Sequence, residues 1–210
     1  FSNSFKPQIQ ELTSMNFARS NGNATIMPDG NIFINGGTSY NDLEFSVFTP
    51  EIYNPYTQTT QEMSNAYFRR NYHGSSLLLP DGRILTAGGD VWNAEIFYPP
   101  YLFTKNIDNQ TVLAERPKIV SLKSNIIRGE KISIEVDGEV SKVSLISTGS
   151  STHAQGSESK FRDIDFTSVS TSNIEIRLDT NPNNIQNGTY LLFVLNSSGT
   201  PSEGKIVFVN

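Results

Sequence analysis

From Ala24 onward the chain alternates short apolar runs with turn residues, and one stretch of that alternation occurs twice. Ala24-Thr25-Ile26-Met27-Pro28-Asp29-Gly30-Asn31-Ile32-Phe33-Ile34-Asn35-Gly36-Gly37 returns as Ser76-Leu77-Leu78-Leu79-Pro80-Asp81-Gly82-Arg83-Ile84-Leu85-Thr86-Ala87-Gly88-Gly89, with Pro80 standing 52 residues after Pro28. Each copy predicts an apolar strand, a tight Pro-Asp-Gly turn in which Gly takes the positive φ, and a second strand stopped by Gly-Gly. A third strand follows in each, Glu51-Ile52-Tyr53-Asn54 or Glu95-Ile96-Phe97-Tyr98. The first copy is longer there because its connection runs from Thr38 to Pro50.

Small antiparallel sheets repeated every ~40–50 residues with Gly-Gly after the second strand predict kelch-type β-propeller blades. A propeller needs roughly four to eight blades to close, and two are legible here. The sequence therefore predicts an incomplete propeller, its partners being missing N-terminal blades or a companion chain. Residues 104–116, polar and Pro-punctuated after a blade region of 1–103, are expected to be a linker.

From 117 to 210 short alternating strands recur at intervals of about 10–15 residues: Lys118–Leu122, Lys131–Val136, Lys142–Ile146, Phe161–Phe166, Asn173–Leu178, Tyr190–Leu195 and Lys205–Val209. Seven such strands with Gly, Asn, Asp and Ser turns predict an immunoglobulin-like β-sandwich. The fold class is all-β, since helix signals are almost absent.

Composition removes several functions. A net charge of −5 and no basic cluster larger than Arg69-Arg70 argue against a nucleic-acid partner. No apolar run approaches the roughly 18 residues of a membrane-spanning helix. The first residues lack a charged-then-apolar leader pattern, which implies a removed leader or a chain that begins mid-protein. No cysteine is present, so disulfides, thiolate metal sites and cysteine nucleophiles are excluded from this chain. Four Asn-x-Ser/Thr triplets, at Asn23, Asn109, Asn187 and Asn196, are glycan acceptors only on a eukaryotic secretory route.

Candidate chemistry centres on the two histidines, His73 and His153. Tyr72 and His73 are adjacent, so a regular strand would send their side chains to opposite faces; both reach one centre only at a strand end or bend. His153 sits in the small-residue stretch Thr148-Gly149-Ser150-Ser151-Thr152-His153-Ala154-Gln155-Gly156, which has little bulk and can extend to a neighbouring domain. Two imidazoles with a tyrosinate oxygen suit Cu(II), and zinc is compatible but less favoured without cysteine. The bland alternative is two unrelated surface or core histidines. Trp92 is read as a sugar-stacking or packing residue, and Arg69 and Arg70 as ligand-facing or paired with Glu62.

Arg70-Asn71-Tyr72-His73 with Leu77-Leu78-Leu79-Pro80-Asp81-Gly82-Arg83, Ala94-Glu95-Ile96-Phe97, Pro100-Tyr101-Leu102 and Arg116-Pro117-Lys118-Ile119 resembles the galactose oxidase and glyoxal oxidase family of copper radical oxidases. So do Ala18-Arg19, Val47-Phe48-Thr49-Pro50-Glu51-Ile52-Tyr53, Gly149-Ser150-Ser151-Thr152-His153 and Tyr190-Leu191-Leu192-Phe193-Val194-Leu195-Asn196 with Pro201-Ser202. The resemblance covers nearly the whole chain and corresponds to the family's last two blades and its C-terminal sandwich. It implies copper as cofactor, with His73 and His153 as ligands and Tyr72 as the axial tyrosinate and proton acceptor. It further implies an extracellular or cell-surface oxidoreductase that turns primary alcohols or aldehydes over with O2 to give hydrogen peroxide. The family's radical tyrosine is cross-linked to a cysteine, and both lie in earlier blades. That cofactor cannot form within this chain, which is expected to be inactive alone. Gly74, Gly156 and Ser159-Lys160 depart from the family's pattern around both histidines. They keep open an alternative, a non-catalytic secreted or surface protein that binds carbohydrate or protein.

Overall fold

The computed structural model describes residues 11–40, 42–152, 155–157 and 159–210. Among the described residues twenty strands account for nearly all the regular structure, with two single-turn 3-10 helices at Leu43–Phe45 and Pro100–Leu102.

The first repeat forms a four-stranded antiparallel sheet, β1 (Asn23–Ile26), β2 (Ile32–Asn35), β3 (Glu51–Asn54) and β4 (Thr59–Glu62), in chain order. The second forms three strands in chain order, β5 (Gly74–Leu78), β6 (Ile84–Gly88) and β7 (Ala94–Phe97). Both hairpins turn as expected. Gly30 N donates to Met27 O and Gly82 N to Leu79 O, each at 2.9 Å, with φ +92° and +83° at the two glycines. Each Asp caps its turn, Asp29 Oδ1 accepting from Asn31 N and Asp81 Oδ1 from Arg83 N, both at 3.0 Å.

The two sheets pack face to face through Met27, Phe33, Ile52 and Ile84, with Phe33 stacked on Phe97 at 4.4 Å between ring centroids. β1 and β5 run beside one another, joined by a buried hydrogen bond from Thr25 Oγ1 to Ser76 Oγ (2.7 Å).

Residues 104–116, expected to be a linker, contain most of a two-stranded hairpin, β8 (Phe103–Lys105) and β9 (Thr111–Leu113). Asn106 makes the turn possible, because its side-chain oxygen accepts from Asp108 N and Gln110 N. Polar composition alone did not reveal it.

The sandwich follows. One sheet has the order β10 (Lys118–Leu122), β12 (Lys131–Asp137), β18 (Asn173–Arg177), β17 (Phe166–Ser170). The other has β11 (Asn125–Ile126), β20 (Lys205–Val209), β19 (Gly188–Leu195), β13 (Lys142–Ser147), β16 (Phe161–Asp163). Six of the seven expected strands occur as single strands. Phe161–Phe166 divides, however, into β16 and the start of β17 on opposite sheets. The core is built by alternation: Ile132, Ile134 and Val136 of β12 and Ile174 and Ile176 of β18 face Val143, Leu145, Leu192, Val194 and Val207.

β19 does not alternate. Its apolar run is buried on both faces, because Tyr190, Leu192 and Val194 enter the sandwich core while Leu191, Phe193 and Leu195 form a second cluster with Ile146, Leu78 and Phe161. That second face docks the sandwich onto the repeat sheets, and both Pro-Asp-Gly turns land there. Lys142 Nζ donates to Asp29 O (3.0 Å) and pairs with Asp163 (2.9 Å), and its ammonium lies over the Tyr56 and Phe161 rings. At the second turn Gly204 N donates to Pro80 O (2.7 Å). A Cβ on Gly204 would come within 2.6 Å of the Phe193 ring, so only glycine permits this approach.

Candidate metal centre

Tyr72 and His73 occupy the two middle positions of a tight turn, closed by Gly74 N donating to Asn71 O at 2.7 Å. The turn ends where β5 begins, which is how neighbours in sequence come to stand side by side. Their ring centroids lie 4.0 Å apart at an interplanar angle of 61°, and both side chains are exposed. The bend that the sequence demanded for a shared centre is present.

His73 has φ +65°, in the left-handed region that Gly enters freely and that few other residues occupy, Asn, Asp and His more often than the rest. Its counterpart just before β1, Asn21, has φ +56°. The backbone requirement is the same in both repeats; a non-Gly residue there carries strain of about 1–3 kcal/mol, and the short Asn amide meets it more readily than the His ring. The surrounding structure holds that strain in place. His73 O accepts from Gly89 N (3.2 Å), and a Cβ on Gly88 would meet His73 O at 2.8 Å, so the Gly-Gly stop serves as the seat of this turn as well as a strand terminator.

Beneath the turn Arg70 is buried. It donates to Asn93 Oδ1 (2.7 Å), Gly88 O (3.3 Å) and Glu95 Oε2 (3.3 Å). Burial lowers the guanidinium pKa, and the Glu95 carboxylate partly offsets this. Its backbone oxygen accepts from Gly37 N of the first repeat at 2.6 Å. The buried Asn71 amide lies among Arg70 O, Gly37 O and Ser46 Oγ at 3.2, 3.2 and 3.3 Å. The turn is thus bolted to both sheets. The first repeat has the same device: Arg19 pairs with Glu51 at 2.6 Å and donates to Gly36 O at 2.8 Å.

The sequence offers Arg70 a ligand or Glu62 as partner. Its partner is instead Glu95, and Glu62 accepts from Asn16 Nδ2 (3.0 Å). Aligning Arg19 and Glu51 with Arg70 and Glu95 across the repeats was the signal that could have found this pair.

His153 falls outside the described residues. The strands on either side of it are β14 (Ser150–Thr152) and β15 (Gln155–Ser157), which pair with each other and lie against β1 and β5. The small-residue stretch of the sandwich therefore does reach the repeat sheets. Among the described residues no group of three or more His, Cys, Asp and Glu gathers. The donors on view, a phenol oxygen and an imidazole held rigidly together without sulfur, fit a nitrogen/oxygen copper site. Trp92 is fully exposed, on the loop after β6.

Comparison with known proteins bears on this arrangement. Residues 116–209 match the family described as "Galactose oxidase-like, Early set domain". A galactose oxidase of Gibberella zeae is 34% identical over 206 residues, 92% of this chain and 30% of that protein. The chain belongs to the galactose oxidase family. The aldehyde oxidase GLOX of Vitis pseudoreticulata is 26% identical over 167 residues, 70% of this chain and 32% of that protein. Among solved structures, a fungal alcohol oxidase of the AA5 family in complex with copper superposes with a TM-score of 0.87 at 26% identity, over 97% of this chain and 45% of that one. This member of the family thus spans about 30% of the length of its galactose oxidase relatives.

Proposed function

We propose that this chain is the C-terminal portion of an extracellular copper radical oxidase, comprising two kelch-type propeller blades and a C-terminal sandwich. The observation that carries the reading is His73 in a left-handed backbone beside Tyr72, at a position where the first repeat has the conformationally easier Asn21. A seldom-used backbone that carries an imidazole beside a phenol is the kind of outlier that functional sites hold.

In this reading His73, His153 and Tyr72 would hold copper, which when bound supplies a Lewis acid and a one-electron redox couple. The remaining contributions come from the chain. Arg70, Asn71 and the Gly88-Gly89 seat fix the turn, so that the Tyr72 and His73 rings stay side by side without rearranging on each turnover. Half-exposed Tyr72 is open to a substrate hydroxyl, and its oxygen accepts that proton. The overall reaction converts a primary alcohol and O2 to an aldehyde and hydrogen peroxide. The radical-forming tyrosine and cysteine belong to blades supplied from outside these residues, so the chain by itself releases no peroxide.

Cu(II) titration followed by EPR tests the site. We expect one Cu(II) per chain with nitrogen hyperfine structure, lost in His73→Ala and in His153→Ala; a spectrum unchanged by both substitutions would overturn the shared centre. If the protein completed with its remaining blades binds Cu(II) but makes no peroxide from any primary alcohol or aldehyde, the non-catalytic, ligand-binding reading replaces the oxidase.

A further inference from the structure

We propose that Asn109 is an N-glycan acceptor, an inference that rests on the extracellular reading above and adds a modification site to it. The four Asn-x-Ser/Thr triplets are equivalent in sequence, and the fold separates them. Asn23 is the first residue of β1, only 2% exposed, and its triplet continues into the paired strand. Asn196 spends its side-chain oxygen on Ser198 N and Thr200 N (3.1 and 2.9 Å) and its Nδ2 reaches Glu115 O. Asn187 is exposed but forms the wall of a recess with Ser147, Thr148, Ser150 and Lys160.

Asn109 differs from all three. It lies in the tip of the β8–β9 hairpin with φ +59°, a backbone that Asn accepts readily. Its backbone N–H is already satisfied by Asn106 O (2.9 Å), and the turn around it is held by the Asn106 side chain, so its own side chain does no structural work there. Asp108, Asn109 and Gln110 are all exposed, and Thr111, the third residue of the triplet, is exposed on β9.

The hairpin also has a reason to be covered. It is an isolated two-stranded sheet that presents Ile107 at 100% and Leu113 at 70% exposure, the kind of open apolar edge that proteins shield. A glycan at its tip hydrates this edge and blocks strand addition. In the chemical step the Asn109 amide nitrogen forms a C–N bond to the anomeric carbon of a lipid-pyrophosphate-linked oligosaccharide. The C–O bond to the pyrophosphate breaks, the lipid pyrophosphate leaves with its electron pair, and one amide proton passes to the transferase.

The test delivers the protein to a eukaryotic secretory lumen with an added leader, then digests it with peptide N-glycosidase in heavy-oxygen water. Asn109 should be recovered largely as heavy-oxygen-labelled Asp, while Asn23 remains Asn. Thr111→Ala, which leaves the left-handed Asn109 in place, and Asn109→Gln should each remove one glycan-sized step on a gel. A bare Asn109 in secreted, folded protein overturns the proposal. The location of the native protein is read separately: confinement to the cytosol would overturn the extracellular reading, whatever the result at Asn109.

Discussion

The two repeat sheets share a turn, a Gly-Gly stop and a buried Arg–Glu pair, yet differ at two positions that change their chemistry. Where the first has Asn21, the second has His73; where the first has Asn31, the second has Arg83. The first difference sets an imidazole in place of a short amide on the same left-handed backbone. The second changes the charge of the turn. Asp29, half-buried and hydrogen-bonded by the neutral Asn31 side chain, has its carboxyl pushed above the ordinary 3.8 by desolvation, against hydrogen bonds from Asn31 and the Lys142 charge. Asp81 also suffers desolvation, but the Arg83 guanidinium at 2.5 Å outweighs it and holds the carboxyl below that value. Identical backbone geometry thus carries opposite electrostatics, and a duplicated scaffold can specialise through single positions.

The largest expected effect separates the two buried ion pairs. Glu51 is fully buried with Arg19, so Glu51→Ala strands a charge and should cost about 3–5 kcal/mol in chemical denaturation. Glu95 is 19% exposed and 3.3 Å from Arg70, so Glu95→Ala should cost roughly 1–3 kcal/mol. Equal losses would show that the pairs are equivalent after all.

A reciprocal swap comes next. His73→Asn should raise stability by about 1 kcal/mol while abolishing the Cu(II) signal, and Asn21→His should lower it by about as much. A destabilised His73→Asn would mean that the imidazole packs rather than serves.

The smallest effect is in pH dependence. Because the folded protein holds the Asp29 proton more tightly than the unfolded chain does, the stability Asp29 contributes is complete below 3.8 and is lost as pH rises through its folded value. Asp81 behaves oppositely: its contribution is present above 3.8 and is lost as pH falls through its lowered value. Asn31→Arg should bring Asp29 down and reverse the sign of its contribution, as read by carboxyl chemical shifts across an acid titration.

By itself the sequence determined the all-β class, both hairpins with their turn geometry and the sandwich strands, because period-two alternation and Pro-Asp-Gly chemistry act over a few residues. It also marked Tyr72, His73 and His153 as the residues to watch. Only the tertiary structure decided what depends on distant partners: Arg70 choosing Glu95, the two-sided burial of β19, the Pro-Asp-Gly turns as docking points and the hairpin inside the expected linker. The left-handed backbone at His73 belongs to the same group. It is imposed by Gly88, Gly89 and Asn71 around it, and no local propensity of histidine would have announced it.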